Sequence, residues 1–111
     1  MHIQFETIQN HLIVKVDGEL DHHTAEEIRE EIDKQIDSKN IKNIIFDLKD
    51  MYFMDSSGIG VVIGRYKKVQ KSGGQAAVIN MNKRVERIFK MSGLFNIVKK
   101  FENRNDAIES L

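Results

Sequence analysis

Apolar and polar residues alternate at the start of the chain and later regroup into helical stripes, and the change of period marks out the elements. Ile3 and Phe5 alternate with polar neighbours, Gln9-Asn10 offers a turn, and His11-Leu12-Ile13-Val14-Lys15-Val16 continues as a strand, which predicts an antiparallel hairpin. Asp17-Gly18-Glu19-Leu20 breaks the pattern. Asp21 is placed to cap a helix, and Thr24-Ala25-Glu26-Glu27 spells a capping box. Ala25, Ile28, Ile32 and Ile36 then form a narrow apolar stripe, with Glu26, Glu27, Glu30, Glu31 and Asp33 expected to face outward. Ser38-Lys39-Asn40 ends this helix, and the continuous run Ile44-Ile45-Phe46-Asp47-Leu48 predicts a central strand covered on both faces.

Met51, Phe53 and Met54 carry a strand-like run into Asp55-Ser56-Ser57, where a helical period begins. Ile59, Val62, Ile63, Tyr66 and Val69 fall on one face of that helix, and Arg65, Lys67, Lys68 and Lys71 on the other. Ser72-Gly73-Gly74 closes it, and residues 75–79 predict another strand. Asn82 is placed to cap a helix through Val85, Ile88 and Phe89 that ends at Met91-Ser92-Gly93. Leu94-Phe95-Asn96-Ile97-Val98 predicts a short last strand, and Asn103 or Asn105 caps a terminal helix with Ala107, Ile108 and Leu111 inward. Strands alternating with about four helices after an opening hairpin predict an α/β fold with a mixed, mostly parallel sheet, each later helix serving as a crossover.

Length fits one domain over residues 1–111, with no repeat, linker or low-complexity segment. The chain has no Cys, which excludes disulfides and thiolate metal sites and fits a reducing compartment. The N-terminal residues lack a secretion signal, and no run approaches the roughly 20 apolar residues of a membrane helix. A cytoplasmic protein without a membrane partner is expected. Net charge is zero, yet residues 1–59 hold 13 acids and 6 bases while residues 60–111 hold 4 acids and 11 bases. Such asymmetry marks some nucleic-acid surfaces, but these charges alternate with core positions as on an ordinary solvated face, so direct nucleic-acid binding is not expected. His22 and His23 would point about 100° apart on a helix, which disfavours a shared metal ion, and nothing implies a cofactor.

The candidate chemistry lies in Phe53-Met54-Asp55-Ser56-Ser57-Gly58-Ile59-Gly60. Both serines fall at or beside a helix N-cap, where a hydroxyl satisfies an orphan amide and where the helix dipole favours an attached phosphate. A plain cap and a modification site are both compatible with the pattern. Met54 and Asp55 stand where a nucleophile elbow needs glycine two residues before its serine, so an acyl-transfer site is disfavoured and no catalytic residue is assigned. Gly58, Gly60 and Gly64 miss the dinucleotide spacing, with the third glycine one residue late. They read instead as places where the helix packs closely on the sheet.

Four segments in order carry a resemblance: Gly18-Glu19-Leu20-Asp21, Asp55-Ser56-Ser57-Gly58-Ile59-Gly60, Gly64-Arg65-Tyr66-Lys67 and Met91-Ser92-Gly93-Leu94-Phe95. Together they resemble the anti-sigma factor antagonists of the STAS fold over essentially the whole chain, nearest the sporulation branch that serves sigma factor F. The resemblance implies a STAS domain that works as a switch and is not an enzyme. An anti-sigma factor that is also a serine kinase would phosphorylate Ser57; the unmodified form would bind that kinase and free the sigma factor; a serine phosphatase would remove the phosphate. It also implies a partner-binding surface at Asp21, Ser56, Gly58, Ile59 and Gly60. Other readings are an antagonist in a stress-response switch, which would share these motifs, a nucleotide- or nucleic-acid-binding module suited to the basic second half, and a hydrolase using Ser57.

Overall fold

In the computed structural model, which describes residues 2–111, the opening alternation becomes a hairpin of β1 (Ile3–Ile8) and β2 (His11–Val16), with Gln9 at φ 55° in its turn. The elements that follow are β3 (Gly18–Leu20), α1 (Ala25–Ser38), β4 (Asn43–Asp47), β5 (Met51–Met54) and α2 (Ser56–Gln70). The chain continues through β6 (Ala76–Ile79), α3 (Lys83–Ser92), a 3₁₀ turn at Leu94–Asn96, β7 (Val98–Phe101) and α4 (Arg104–Ser110). The main sheet runs β1-β2-β4-β6-β7; its first pair is antiparallel and the others are parallel. The predicted mixed sheet with its opening hairpin and four α-helices is present.

Side-chain alternation sorts the core into two layers. Leu12, Val14, Ile44, Phe46, Ala76 and Val78 face α1, α2 and α3, while Ile13, Ile45, Ala77 and Ile79 face α4 around Ala107. The middle of β4 is therefore covered on both sides, which is why Ile44, Ile45 and Phe46 stand in succession between Asn43 and Asp47.

Two strand assignments differ from expectation. Gly18–Leu20 is a strand, paired in parallel with β5 in a separate two-stranded sheet. Three residues are too few to display a period of two, and the partner lies some thirty positions later. Conversely, Leu94 and Phe95 belong to the 3₁₀ turn, and the last strand starts at Val98. Their apolar character serves the underside of α3, where Leu94 is buried and the Phe95 ring lies 5.6 Å from that of Phe89.

At the amino ends of the parallel strands a buried polar pair ties three elements together. The amide of Asn43 donates to His11 Nδ1 at 3.3 Å, and Asn43 Oδ1 accepts from the Gln75 amide at 2.8 Å. His11 is therefore neutral, with its proton on Nε2, and burial lowers its pKa from the ordinary 6.5. A depressed folded-state pKa places the stabilisation above pH 6.5, and it is lost as pH falls from there through the lower folded value. Urea melts of the wild type and His11→Gln should show a stability difference that is constant above pH 6.5 and narrows below it. A difference independent of pH would exclude His11 from the acid response.

Candidate functional site

Helix α2 is followed by Ser72-Gly73-Gly74 beside the start of β4, where Gly74 abuts the Lys42 carbonyl and the Ile44 amide donates to the Gln75 carbonyl. Its N-terminus therefore lies toward the carboxyl ends of the parallel strands, the usual position of sites in open α/β sheets. The cap there is Asp55. Its Oδ1 accepts from the Ser57 and Gly58 amides at 2.8 and 3.2 Å, and its backbone carbonyl accepts from Ile59. Ser56 and Ser57 stand beside the N-cap as the first two helical residues, and neither hydroxyl takes part in the cap. Any of Asp, Ser and Ser suits this position by residue type; the strand ending at Met54 leaves Asp55 as the residue with extended backbone.

Asp55 also joins two segments. Its Oδ2 accepts from the His22 amide at 3.1 Å and its own amide donates to the Leu20 carbonyl, so the loop after β3 is fastened to the start of α2. In that loop Asp21 Oδ1 accepts from the His23 and Thr24 amides at 2.9 and 3.2 Å, and Thr24 Oγ1 donates to the Glu19 carbonyl. The expected capping box does not form, because the Thr24 hydroxyl is committed to the turn behind it and makes no cap bond to α1. Partial desolvation works against ionisation of Asp21, but hydrogen bonds, the His23 and Thr24 amides foremost, and the neighbouring His23 together hold its carboxyl below the ordinary carboxylate range. The structure thus brings together Asp21, Asp55, Ser56, Ser57 and Gly58. Replacing Asp55 by Ala removes the cap and the cross-link at once; a loss of about 1 to 2 kcal/mol is expected in urea unfolding. A loss below a few tenths would show that water substitutes for the carboxylate.

The three glycines are not alike. A methyl group on Gly58 would run into the Leu20 carbonyl oxygen and lie 2.9 Å from Leu20 Cγ. At Gly60 and Gly64, by contrast, a methyl group would find nothing within 4 Å, which corrects the expectation of close packing at both. Gly60 is exposed, Ser56 is exposed, and Ser57 and Ile59 are half-buried. Gly58 is buried, so it shapes the surface without offering a side chain to a partner.

Beside Ser57, α1 and α2 enclose a hollow of about 360 Å³ lined by Ala25, Glu26, Arg29, Gly60, Val61 and Arg65 together with Ser57. Arg65 does not face solvent as the apolar stripe implied; it is 8 % exposed. The buried stripe of α2 is Gly58, Val61, Val62, Arg65 and Val69, turned from the expected face toward α1. A glycine and an arginine within it carry no hydrophobic signal, which hid the rotation. Asp33, expected outward on α1, turns toward the same seam: Arg65 Nε lies 2.9 Å from Asp33 Oδ1, at an angle that leaves neither atom a proper hydrogen bond, and Arg65 Nη1 is buried without a partner. Burial pushes the Arg65 pKa below its ordinary value, Asp33 draws it up, and the neighbouring Arg29 pushes it down. Arg29 itself is held loosely, 3.7 to 3.9 Å from Glu26, Glu30 and Asp33.

The STAS-domain profile matches residues 2–107. The chain is 41% identical over 111 residues to the anti-sigma F factor antagonist of Paenibacillus polymyxa, covering 100% of this chain and 95% of that protein. The chain belongs to the anti-sigma factor antagonists of the STAS-domain family. This STAS domain is also similar to the solved anti-sigma factor antagonist SpoIIAA in its unphosphorylated form, at a TM-score of 0.84 and 31% identity, covering 97% of this chain and 94% of the other. Against the Bacillus cell fate determinant SpoIIAA in the phosphorylated form the TM-score is 0.74 at 30% identity, covering 97% of each chain. Among the described residues of the STAS domain, no helix is long and apolar enough to cross a membrane.

Sequence reasoning missed Asp55 as the cap and Arg29 and Arg65 as walls of the hollow. The signal for Arg65 was its place eight residues after Ser57, two helical turns along the same face through Val61.

Proposed function

We propose that this chain is an anti-anti-sigma factor of the sporulation type, with residues 1–111 acting as a single STAS domain in the cytoplasm. Unmodified, it binds an anti-sigma factor that is also a serine kinase, and sigma factor F is released. Phosphorylation of Ser57 by that kinase ends the interaction, and a serine phosphatase restores it. Asp21, Ser56, Ile59 and Gly60 form the surface the partner touches, Gly58 sets its shape, and the chain performs no catalysis of its own. One observation carries the reading: Asp55 supplies the cap, so the Ser57 hydroxyl is left uncommitted at the lip of α2. The similarity to a relative solved in both unphosphorylated and phosphorylated forms supports it.

Incubation with the anti-sigma kinase and ATP, followed by phosphopeptide mapping, should place a single phosphate on Ser57. Ser57→Ala should accept none, and Ser56→Ala should be labelled like the wild type. Phosphate mapped to Ser56, or labelling that survives Ser57→Ala, would overturn the assignment.

A further inference from the structure

A phosphate on Ser57 meets a helix N-terminus already capped by a carboxylate. The amides of Ser57 and Gly58 already bond to the Asp55 carboxylate, and that of Ile59 to its carbonyl. Two of the donors that ordinarily receive an anion at such a position are therefore engaged by the cap, and the carboxylate that engages them is itself negative. Positive charge is available in the hollow between α1 and α2, which Arg29 and Arg65 line together with Ser57.

We propose that this hollow is the receptor for the phosphate of phosphorylated Ser57, with Arg65 and Arg29 as its ligands and Gly60 as its open floor. The inference rests on Ser57 being the modified residue. Arg65 is more than nine-tenths buried, lines the hollow and holds a guanidinium nitrogen with no hydrogen-bond partner. An unpaired buried donor is costly unless a ligand completes it, and a guanidinium fork suits the oxygens of a phosphate. Eight residues separate Ser57 from Arg65, a rise of about 12 Å, and helical side chains lean toward the N-terminus, so the guanidinium approaches Ser57 over Val61 and Gly60. Arg29 covers the remaining distance from the opposite wall: it is 43 % exposed, its carboxylate contacts are long, and its charge is already felt by Arg65. The two guanidiniums share a single carboxylate, that of Asp33, whose Oδ1 lies 2.9 Å from Arg65 Nε and Oδ2 3.8 Å from Arg29 Nη1; one negative charge against two positive ones leaves an excess that a dianion would balance.

Gly60 acquires a reason on this account. No atom of the free chain approaches its missing side chain, but a side chain there would fill the floor between Ser57 and the arginines. Against the site stand Glu26 on its α1 wall, Asp33 beside Arg65, and Asp55 and Asp21 at the rim with His22. The arginines must outweigh them.

The test installs phosphoserine at position 57 during translation, so that it does not depend on any kinase, and follows the phosphorus resonance with pH. A free phosphoserine loses its second proton near a pKa of about 6. Held by guanidiniums, it should titrate about one unit lower. Arg29→Gln, Arg65→Gln and Gly60→Val should each bring the value back toward that of a free phosphoserine, and Gly60→Val does so with no change of charge. If Arg65→Gln fails to fold, Arg29→Gln and Gly60→Val carry the test. An unshifted pKa, or one that none of these variants moves, overturns the proposal. So does tight binding of inorganic phosphate or ATP to the unmodified protein alongside a normally titrating phosphoserine, which would assign the hollow to an external phosphate. Failure of the kinase to label Ser57 would instead overturn the proposed function and leave this result standing.

Discussion

Phosphorylating Ser57 should weaken the complex with the anti-sigma kinase by about 30-fold or more while leaving the fold in place, since 1.4 kcal/mol corresponds to a factor of ten and a charge that finds no partner on the docked kinase costs about 2 to 5 kcal/mol. The phosphate brings roughly −1.5 to −2 charges at neutral pH to a rim that already carries Asp21 and Asp55. Nothing at Ser57 provides a driving force for refolding, because the residue is half-buried at the first turn and its hydroxyl holds no structural bond. Bulk and charge at the surface are sufficient. Calorimetric titration of both forms measures the affinity change, and solved structures of both measure the backbone. Ser57→Asp should weaken binding in the same direction but less, having one charge and no tetrahedral group. A rearranged sheet or a displaced α2 in the phosphorylated form would sink this account, as would equal affinity of the two forms.

Gly58→Val should lower stability by about 3 kcal/mol, the upper end of ordinary overpacking, because the obstacle is backbone. The Leu20 carbonyl in the way of the new side chain is held by the Asp55 amide, and Leu20 itself is 1 % exposed. Neither can retreat without opening the joint between β3 and α2. For a domain of this length the melting temperature should fall by roughly 10 °C or more. Gly60→Val is the control: it meets open space and should leave melting nearly unchanged. If the two variants melt alike, the steric reading of Gly58 is wrong.

The sequence and the structure agree where a residue's chemistry and its burial point the same way. Ile44, Ile45 and Phe46 stand in succession because both faces of β4 are covered, and Asn82 and Asn103 cap α3 and α4 by accepting from Val85 and Asp106, as residue type predicts. Disagreement appears where one of the two is silent. β3 is too short for periodicity, and the Leu94–Asn96 turn is apolar for the sake of α3. Arg65 is polar by type and buried by position because its charge meets Asp33 rather than water. The serine turn was legible as a helix start but not as to which residue caps it, since all three candidates accept amide bonds equally well. The hollow was hidden altogether, because its walls come from helices joined only by the fold. Its alignment with Ser57 depends on how α1 crosses α2, a tertiary fact with no local signature.

The face of the sheet opposite the switch is guarded by little. α4, seven residues long, covers Ile13, Ile45, Ala77 and Ile79 with Ile8 and Phe101 packed beside it, secured by Ala107, by the Asn103 cap and by a two-pronged pairing of Arg104 with Glu6 on β1. A helix of two turns has scant stability of its own, so this lid is the part of the molecule that thermal fluctuation lifts first. What it uncovers is a strip of central-strand side chains whose exposure favours self-association. The rim around Ser57 and the aggregation hazard thus lie on opposite sides of one sheet. Substitutions in α4 are free to tune solubility and cellular lifetime without altering what the rim around Ser57 presents to a partner.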